Sequence, residues 1–528
     1  TGTFEMKDGM MYAHNFDFTT NTSHLTVDGA MGIGSLTADP ALPLRLKGSG
    51  LVGLSDFATA FPALRPMITS LPLPRSFNLD ADISGTAGKL DVGNLKMKYP
   101  GLLDLQASGR VENAFDLAHA GGSVRIDGKL TETRRLKTVQ DMLMPNSGIG
   151  LTNNLTVKGS VDYHPGEVKA DLAATADNGK ALIKGSWSGR SESYDLQVNA
   201  TDLPVAAFVP SLGIDNLTGR LFAKGHGYNP LKASTAIDAD IVIDHVTYQK
   251  APFADITFNG SVHGGNIDGT LHSSNPGADL DLRVNAFAVR DTCRWDIDGD
   301  IRDLDLRRLR FADKELGGSI TLKSTGIYIE HPQSINADIQ ASNVILVMDS
   351  IRVATPYVDL HAELNDTATV LNLRNGDLLA NFSSDCRADS LLPALMRLQP
   401  LLVRQIKTNK HIDVDSFQMA IPHFALSINS GTDNLVANYL SHSGITFRQL
   451  GLNATNDSTM RLTGRLLGLS TGAFALDTIS LTAMQRGKYL IYNANVVNAP
   501  GTMDEFAKVS ANGYFSDNRL NLLLRQKN

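Results

Sequence analysis

Three aspartates at alternate positions, Asp296, Asp298 and Asp300 in the run DIDGDIRDLD, have the type and spacing to do chemistry, because carboxylates two apart are how a calcium loop presents its oxygen ligands. The residues between them point elsewhere. Trp295, Ile297 and Ile301 interleave with the aspartates, and alternate residues of an extended chain face opposite ways, so the solvated face of a strand is the favoured reading and an ion site the alternative. GTAGKL, from Gly85 to Leu90, lacks the earlier glycine and the Ser or Thr of a phosphate-binding loop and reads as a turn. GSWSG, from Gly185 to Gly189, has serines in the wrong places for a nucleophile elbow. The 13 histidines never form H-E-x-x-H, and His245, beside Asp240 and Asp244 at a strand end, reads as a surface group. Cys293 and Cys386 have no C-x-x-C spacing; they can form at most one bridge, and two free thiols are the favoured reading. The expectation is a protein that is not an enzyme and takes no metal or cofactor.

The elements that would hold such residues are written in a recurring pentapeptide. LTVKG ends at Gly159, and near-copies end at Gly29, Gly48, Gly128, Gly260, Gly299 and Gly464. Leu155 and Val157 share one face of a strand while Thr156 and Lys158 share the other, so one face is apolar and the other wet. Each pentapeptide reads as the end of a half-buried strand, with glycine at the bend where the chain leaves the sheet. A chain of 528 residues, 42% hydrophobic and 20% charged, has ample core-forming residues. A net charge of −7 without a basic stripe argues against nucleic acid as a partner. The opening TGTFEMKDG has no initiator Met, basic leader or apolar segment, and strand patterning persists to LNLLLRQKN, so an interior or truncated piece of something longer is expected.

Period-two alternation fills almost the whole chain, broken by short Gly, Asn, Asp and Pro clusters. GEVKADLAATADNGKALIKGSW predicts two strands about a turn at Asn178 and Gly179. The connections are too short for parallel crossovers, so pairing is expected to be antiparallel. Helical patterns are few: near 55–64 with Ser55 as N-cap, near 203–211, near 304–316, and from Asp389 to Ile406. That last segment is broken by Pro393, Arg397 and Pro400 and is too short to span a bilayer. Its Leu391, Leu392, Leu395, Met396 and Leu398 form an apolar face for packing on the sheet, the alternatives being a membrane surface or a cap on a groove. Helices so sparse cannot cover a sheet of two dozen or more strands. Immunoglobulin-like sandwiches are disfavoured because only Trp187 and Trp295 are present, leaving a trough or a closed solenoid.

The run from Asp202 to Val284, with its Leu-Pro helix, LTG strand, G-x-G turn and successive strands ending in glycine, resembles the TamB members of the AsmA-like superfamily of bridge-like lipid transfer proteins. LDLRRLRFADKELGGSITLKSTG repeats the plan, and LSDFATAFPAL is a looser copy. The resemblance implies an all-β fold, an elongated antiparallel sheet curled into a U-shaped, taco-like hydrophobic groove with a few short helices. It further implies a periplasmic protein anchored in the inner membrane, carrying phospholipid acyl chains toward the outer membrane. The alternative it carries is a scaffold of the translocation and assembly module, beside a TamA-like outer-membrane barrel, assisting outer-membrane protein assembly or secretion.

Parity supplies the lining of such a groove: Leu155, Val157, Val168, Leu172, Ile183, Leu196, Val198, Ile237, Ile241, Ile243, Ile256, Phe258, Leu280, Leu282, Val284, Ile297, Ile320 and Leu322. These are aliphatic or small, and aromatics at 6% of the chain disfavour a polysaccharide groove. The organisation expected is a groove segment over 1–135, a second over 136–388 with the strongest repeats, an amphipathic helix and linker over 389–410, and a further groove segment over 411–528.

Overall fold

The computed structural model describes residues 2–34, 39–60, 65, 75–114, 116, 119–133, 141, 150–396, 400, 403, 414–499, 508–516 and 519–527. Strands take up 69% and helices 8% of the described residues, so the fold is all-β, with 31 strands among them that pair antiparallel. Two compact units are distinguished: Thr1–Asn229 with Thr235–Val262, and Pro230–Ser234 with His263–Asn528.

In the first unit the ladder follows the chain order. Leu155–His164, Glu167–Ala176, Gly179–Ser188 and Ser193–Leu203 pair in succession, each with the one before it. The turn between the second and third is Asp177-Asn178, with Asp177 at φ 49, one residue before the Asn178-Gly179 turn the sequence suggests. Gly179 instead opens the next strand, and an added Cβ there would meet the Asp202 carbonyl oxygen at 2.4 Å. In the second unit the same order holds from Asn266–Asn275 through Leu378–Ser384, and the strands lengthen to 15 residues at Ser334–Met348 and Ile351–Asn365.

The recurrent glycine does not end its strand. Gly159 lies in the middle of Leu155–His164, at φ 148. An added Cβ would stand 2.0 Å from the Asp171 carbonyl oxygen of the neighbouring strand. The position therefore needs glycine for a close backbone approach within the sheet, not for a turn, and glycine kinks of this kind are where a sheet bends.

Five short helices have described bounds: α1 (Leu54–Ala60), α2 (Val205–Phe208), α3 (Ala388–Met396), α4 (Val414–Ala420) and α5 (Leu435–His442). The helix near 55–64 starts one residue early, directly from the strand Pro43–Gly53, so Ser55 is inside it, and 61–64 lies outside the described residues. α1 packs over one end of the first unit's sheet, where Val52, Leu54, Ala58, Phe77, Tyr99 and Leu102 form a buried cluster. Phe57 meets Phe77 edge-on at 5.6 Å. The pattern near 203–211 becomes α2 and a 3₁₀ turn, Pro210–Leu212. The helix expected near 304–316 does not form. The strand Thr292–Asp305 runs through its first turn, and the next strand begins at Leu316, leaving ten residues for a tight turn. That turn closes with Leu309 N–H on the Asp305 carbonyl and Phe311 N–H on that of Leu306. From Asp389 to Ile406, α3 covers the first part, and 397–399, 401–402 and 404–406 lie outside the described residues. No helix among the described residues is long and apolar enough to cross a membrane.

Candidate functional site

Side chains directly opposite one another on antiparallel strands share a face, so the pairing register turns the alternation into rows across the sheet. In the first unit one row runs Phe16, Val27, Gly48, Ala81, Leu95, Ala107, Ile126, Gly159, Leu172, Ile183, Val198, Leu221 and Ile241. It is apolar at every position across thirteen strands. On one side of it lie Val157, Ala174, Ala181, Ala200, Gly219 and Ile243. On the other lie Val161, Ala170, Gly185, Leu196, Ala223 and Ala239, then Tyr163, Val168, Trp187, Tyr194, Gly225 and Ile237. Leu155 shares the face with Val157 but is buried at its end, opposite Leu130. At about 4.8 Å per strand the row is some 60 Å long, measured along the sheet.

The second unit has its own rows. Gly269, Val284, Ile297, Ser324, Ile339, Leu360, Leu373, Ala380, Ile428, Leu452, Gly464, Leu481, Ala494, Ala511 and Leu524 follow one another, with Ser324 the one polar member. The Ser324 hydroxyl accepts the Trp295 indole N–H at 3.2 Å, so its polarity is satisfied. Beside this row stand Leu271, Leu282, Gly299, Leu322 and Ala341, and then Leu280, Ile301 and Ile320. The strand Ala251–His263 of the first unit contributes Ile256 and Phe258, two apart and half-buried. Bulges interrupt the register near strand ends, as at Ala200/Leu203 and Ile301/Leu304, and in mid-strand at Ala13/Phe16 and Val92/Leu95, where Phe16 and Leu95 take up the row again.

The opposite face is polar. In the first unit it carries cross-strand pairs Asp91 with Arg110 at 2.9 Å, Asp127 with Lys158 at 2.9 Å and Asp195 with Lys224 at 3.8 Å. A depression of about 440 Å³ opens between such groups, lined by Asp162, Lys169, Asp171, Lys184, Ser186 and Asp195. It belongs to the wet face. In the second unit Asp296, Asp298 and Asp300 are exposed on the corresponding side. Asp298 stands opposite Arg283 and Lys323, and Asp300 accepts the Thr321 hydroxyl at 2.7 Å. His272 and Arg302 both bind Asp281 and hold its carboxyl below the usual range. His361 lies between Asp338 at 2.7 Å and Glu363 at 3.0 Å, and these carboxylates raise the pKa of its imidazole. His245 is exposed, opposite Thr218 at a bulge. Cys293 and Cys386 are free thiols, and burial raises the pKa of the Cys293 thiol.

The sequence did not single out Asp291, Glu330 and His331, whose ligand atoms all lie within 4.8 Å of one another on two adjacent hairpin turns. Asp291 and His331 face solvent. Nor did it single out the buried polar cluster at α5. There the Asn434 side chain accepts from Ala437 N–H at 2.9 Å and donates to Asp377 at 2.7 Å, and Asn375 accepts Leu435 N–H at 2.7 Å. The TDN before LVANYL is a helix N-cap signal of the standard kind. Backbone N–H groups and the Asn434 amide outweigh desolvation and hold the Asp377 carboxyl below its usual range, which fits a fixed structural cap.

The arrangement offers chemistry of one kind. Leu172, Ile183, Val198, Leu221 and Ile241 stand side by side in the first unit's row and are half-buried. An unbroken row of half-buried apolar side chains on one face of a sheet is the kind of surface that serves to bind apolar partners. No family model, curated protein or solved structure matches this chain.

Proposed function

We propose that the apolar face is a track for lipid acyl chains and that the protein carries phospholipid between the inner and outer membranes of a diderm cell. The single observation that carries this reading is the continuity of the rows, apolar at every position from Phe16 to Ile241 in the first unit. A binding pocket needs a few converging polar groups; a track needs a dry wall and sites of nearly equal depth, so that cargo moves on. At about 0.8 kcal/mol per buried methylene, a 16-carbon tail gains on the order of 12 kcal/mol as an upper bound, with no specific polar contact. The resemblance to TamB supports the same direction, and with it a periplasmic location, an inner-membrane anchor and a TamA-like partner as further parts of the proposal.

The test uses the cost of a charge in an apolar path. Ile241→Asp or Leu282→Asp places a carboxylate among the rows, where an unpaired charge against hydrocarbon costs several kcal/mol or more. Asp240→Asn and Arg283→Asp alter the other face, where solvent screens the change. In cells carrying each full-length variant, the inward carboxylates are expected to weaken the outer-membrane barrier and the outward changes to leave it intact, with protein level and protease resistance checked throughout. Folded inward variants that support a normal envelope would overturn the track and favour a scaffold acting through its backbone edges.

A further inference from the structure

The first unit's apolar face is aliphatic along its rows and aromatic at one rim. Trp187 and Tyr194 follow one another in its outermost row, with Tyr163 one strand further on past Val168, and Tyr228, just beyond the strand Ile214–His226, joins them. Trp187 donates its indole N–H to the Tyr228 hydroxyl at 2.8 Å. Tyr194 and Tyr228 stack with centroids 5.8 Å apart and 13° between planes, and the Tyr194 hydroxyl donates to the Gly227 carbonyl at 3.3 Å. The Trp187 ring lies over Gly189, where a Cβ would meet its Cη2 at 2.9 Å. Three rings are thus held in one fixed corner. Trp187 and Tyr228 are nevertheless open, 44% and 59% exposed, while Tyr194 is half-buried. Among the described residues the cations set over rings are Arg374 on Tyr357 and Lys488 on Tyr489, and neither belongs to this corner.

The geometry points to a headgroup site: Trp187, Tyr194 and Tyr228 receive the ammonium of a zwitterionic lipid whose tail lies on the adjacent aliphatic rows. The inference rests on the lipid reading above. Rings present a negative π face to a cation, and an indole with two phenols is the composition that serves ammonium recognition. Position supplies the second half of the argument. Val168 flanks Trp187 in the same row, and Ala170, Gly185 and Leu196 form the next row inward, so a headgroup in the corner places its tail on apolar surface at once.

A Trp295→Phe background makes Trp187 the only tryptophan, so its emission reports on the corner. The probes are lysophosphatidylcholine, lysophosphatidylethanolamine, lysophosphatidylglycerol and a maltoside, all with 12-carbon tails and below their micelle concentrations. The two ammonium lipids are expected to shift Trp187 emission and to bind about threefold to thirtyfold more tightly than lysophosphatidylglycerol, the range a cation over a ring supplies. Tyr194→Leu with Tyr228→Leu should abolish that preference while tail binding persists, and Tyr194→Phe, which keeps the ring and leaves the Trp187 to Tyr228 hydrogen bond in place, should keep it. Equal affinity for all four probes overturns the headgroup assignment and leaves the track standing. Tightest binding of the maltoside reassigns the corner to sugars. No binding of any probe removes the track itself, and this site with it.

Discussion

Gly159 shows how one residue type is read correctly for its face and wrongly for its place. Its alternation with Leu155 and Val157 was legible, yet the sequence cannot tell a glycine that ends a strand from one that lets two backbones touch inside it, because both need only the missing Cβ. The structure decides, with φ 148 in mid-strand and the Asp171 carbonyl 2.0 Å from where a Cβ would sit. Gly159→Val is therefore expected to destabilise the first unit by about 2 kcal/mol or more, from overpacking and backbone strain, read as a lower urea midpoint. An unchanged midpoint would show that the close approach is dispensable. His361 gives a second test at this scale. Asp338 and Glu363 raise its pKa, so the pairing stabilises the fold fully below the ordinary histidine value and is lost as pH rises through the higher folded value. An NMR titration should place His361 above 6.5, the ordinary value, and Asp338→Asn should bring it down. A native value at or below the ordinary one would refute the pairing.

At the scale of elements, strands were legible and helices only in part. Period two is written in every strand that has one wet face, whereas a helix of seven residues carries barely two turns of signal. The pattern from Leu304 failed because its apolar positions fit the end of a strand equally well, and pairing of Leu304 with Gly318 took them. α1 owes its place to a contact sequence spacing does not announce: Asp56 accepts hydroxyl hydrogen bonds from Ser23, Thr20 at 2.6 Å and Thr22 at 2.8 Å. These donors hold its carboxyl below the usual range, so the tie is present above the ordinary carboxylate pKa and is lost as pH falls through the depressed one. Asp56→Ala should speed hydrogen exchange across Leu54–Ala60 while the strand Leu155–His164 keeps its protection. Equal protection in α1 before and after would mean that the cluster around Phe77 alone holds the helix.

For the molecule as a whole, parity placed sixteen of the eighteen proposed lining residues on rows defined by register or, for Leu155, on the same face; Ile256 and Phe258 are located by strand and burial alone. What parity could not supply is the lateral order. That Leu172, Ile183 and Val198 stand side by side depends on turn lengths and bulges, and so on pairing. It also could not supply the aromatic corner, since Tyr228 reaches Trp187 across 41 residues. The central claim, that lipid follows one face, is tested most directly by photoreactive residues placed singly at Leu172 and Ile183 and at their outward neighbours Asp171 and Lys184. After irradiation in cells, mass spectrometry of the purified protein should find phospholipid adducts at positions 172 and 183 and few at 171 and 184. Equal labelling at all four positions, or none at the inward pair in folded protein, would contradict it.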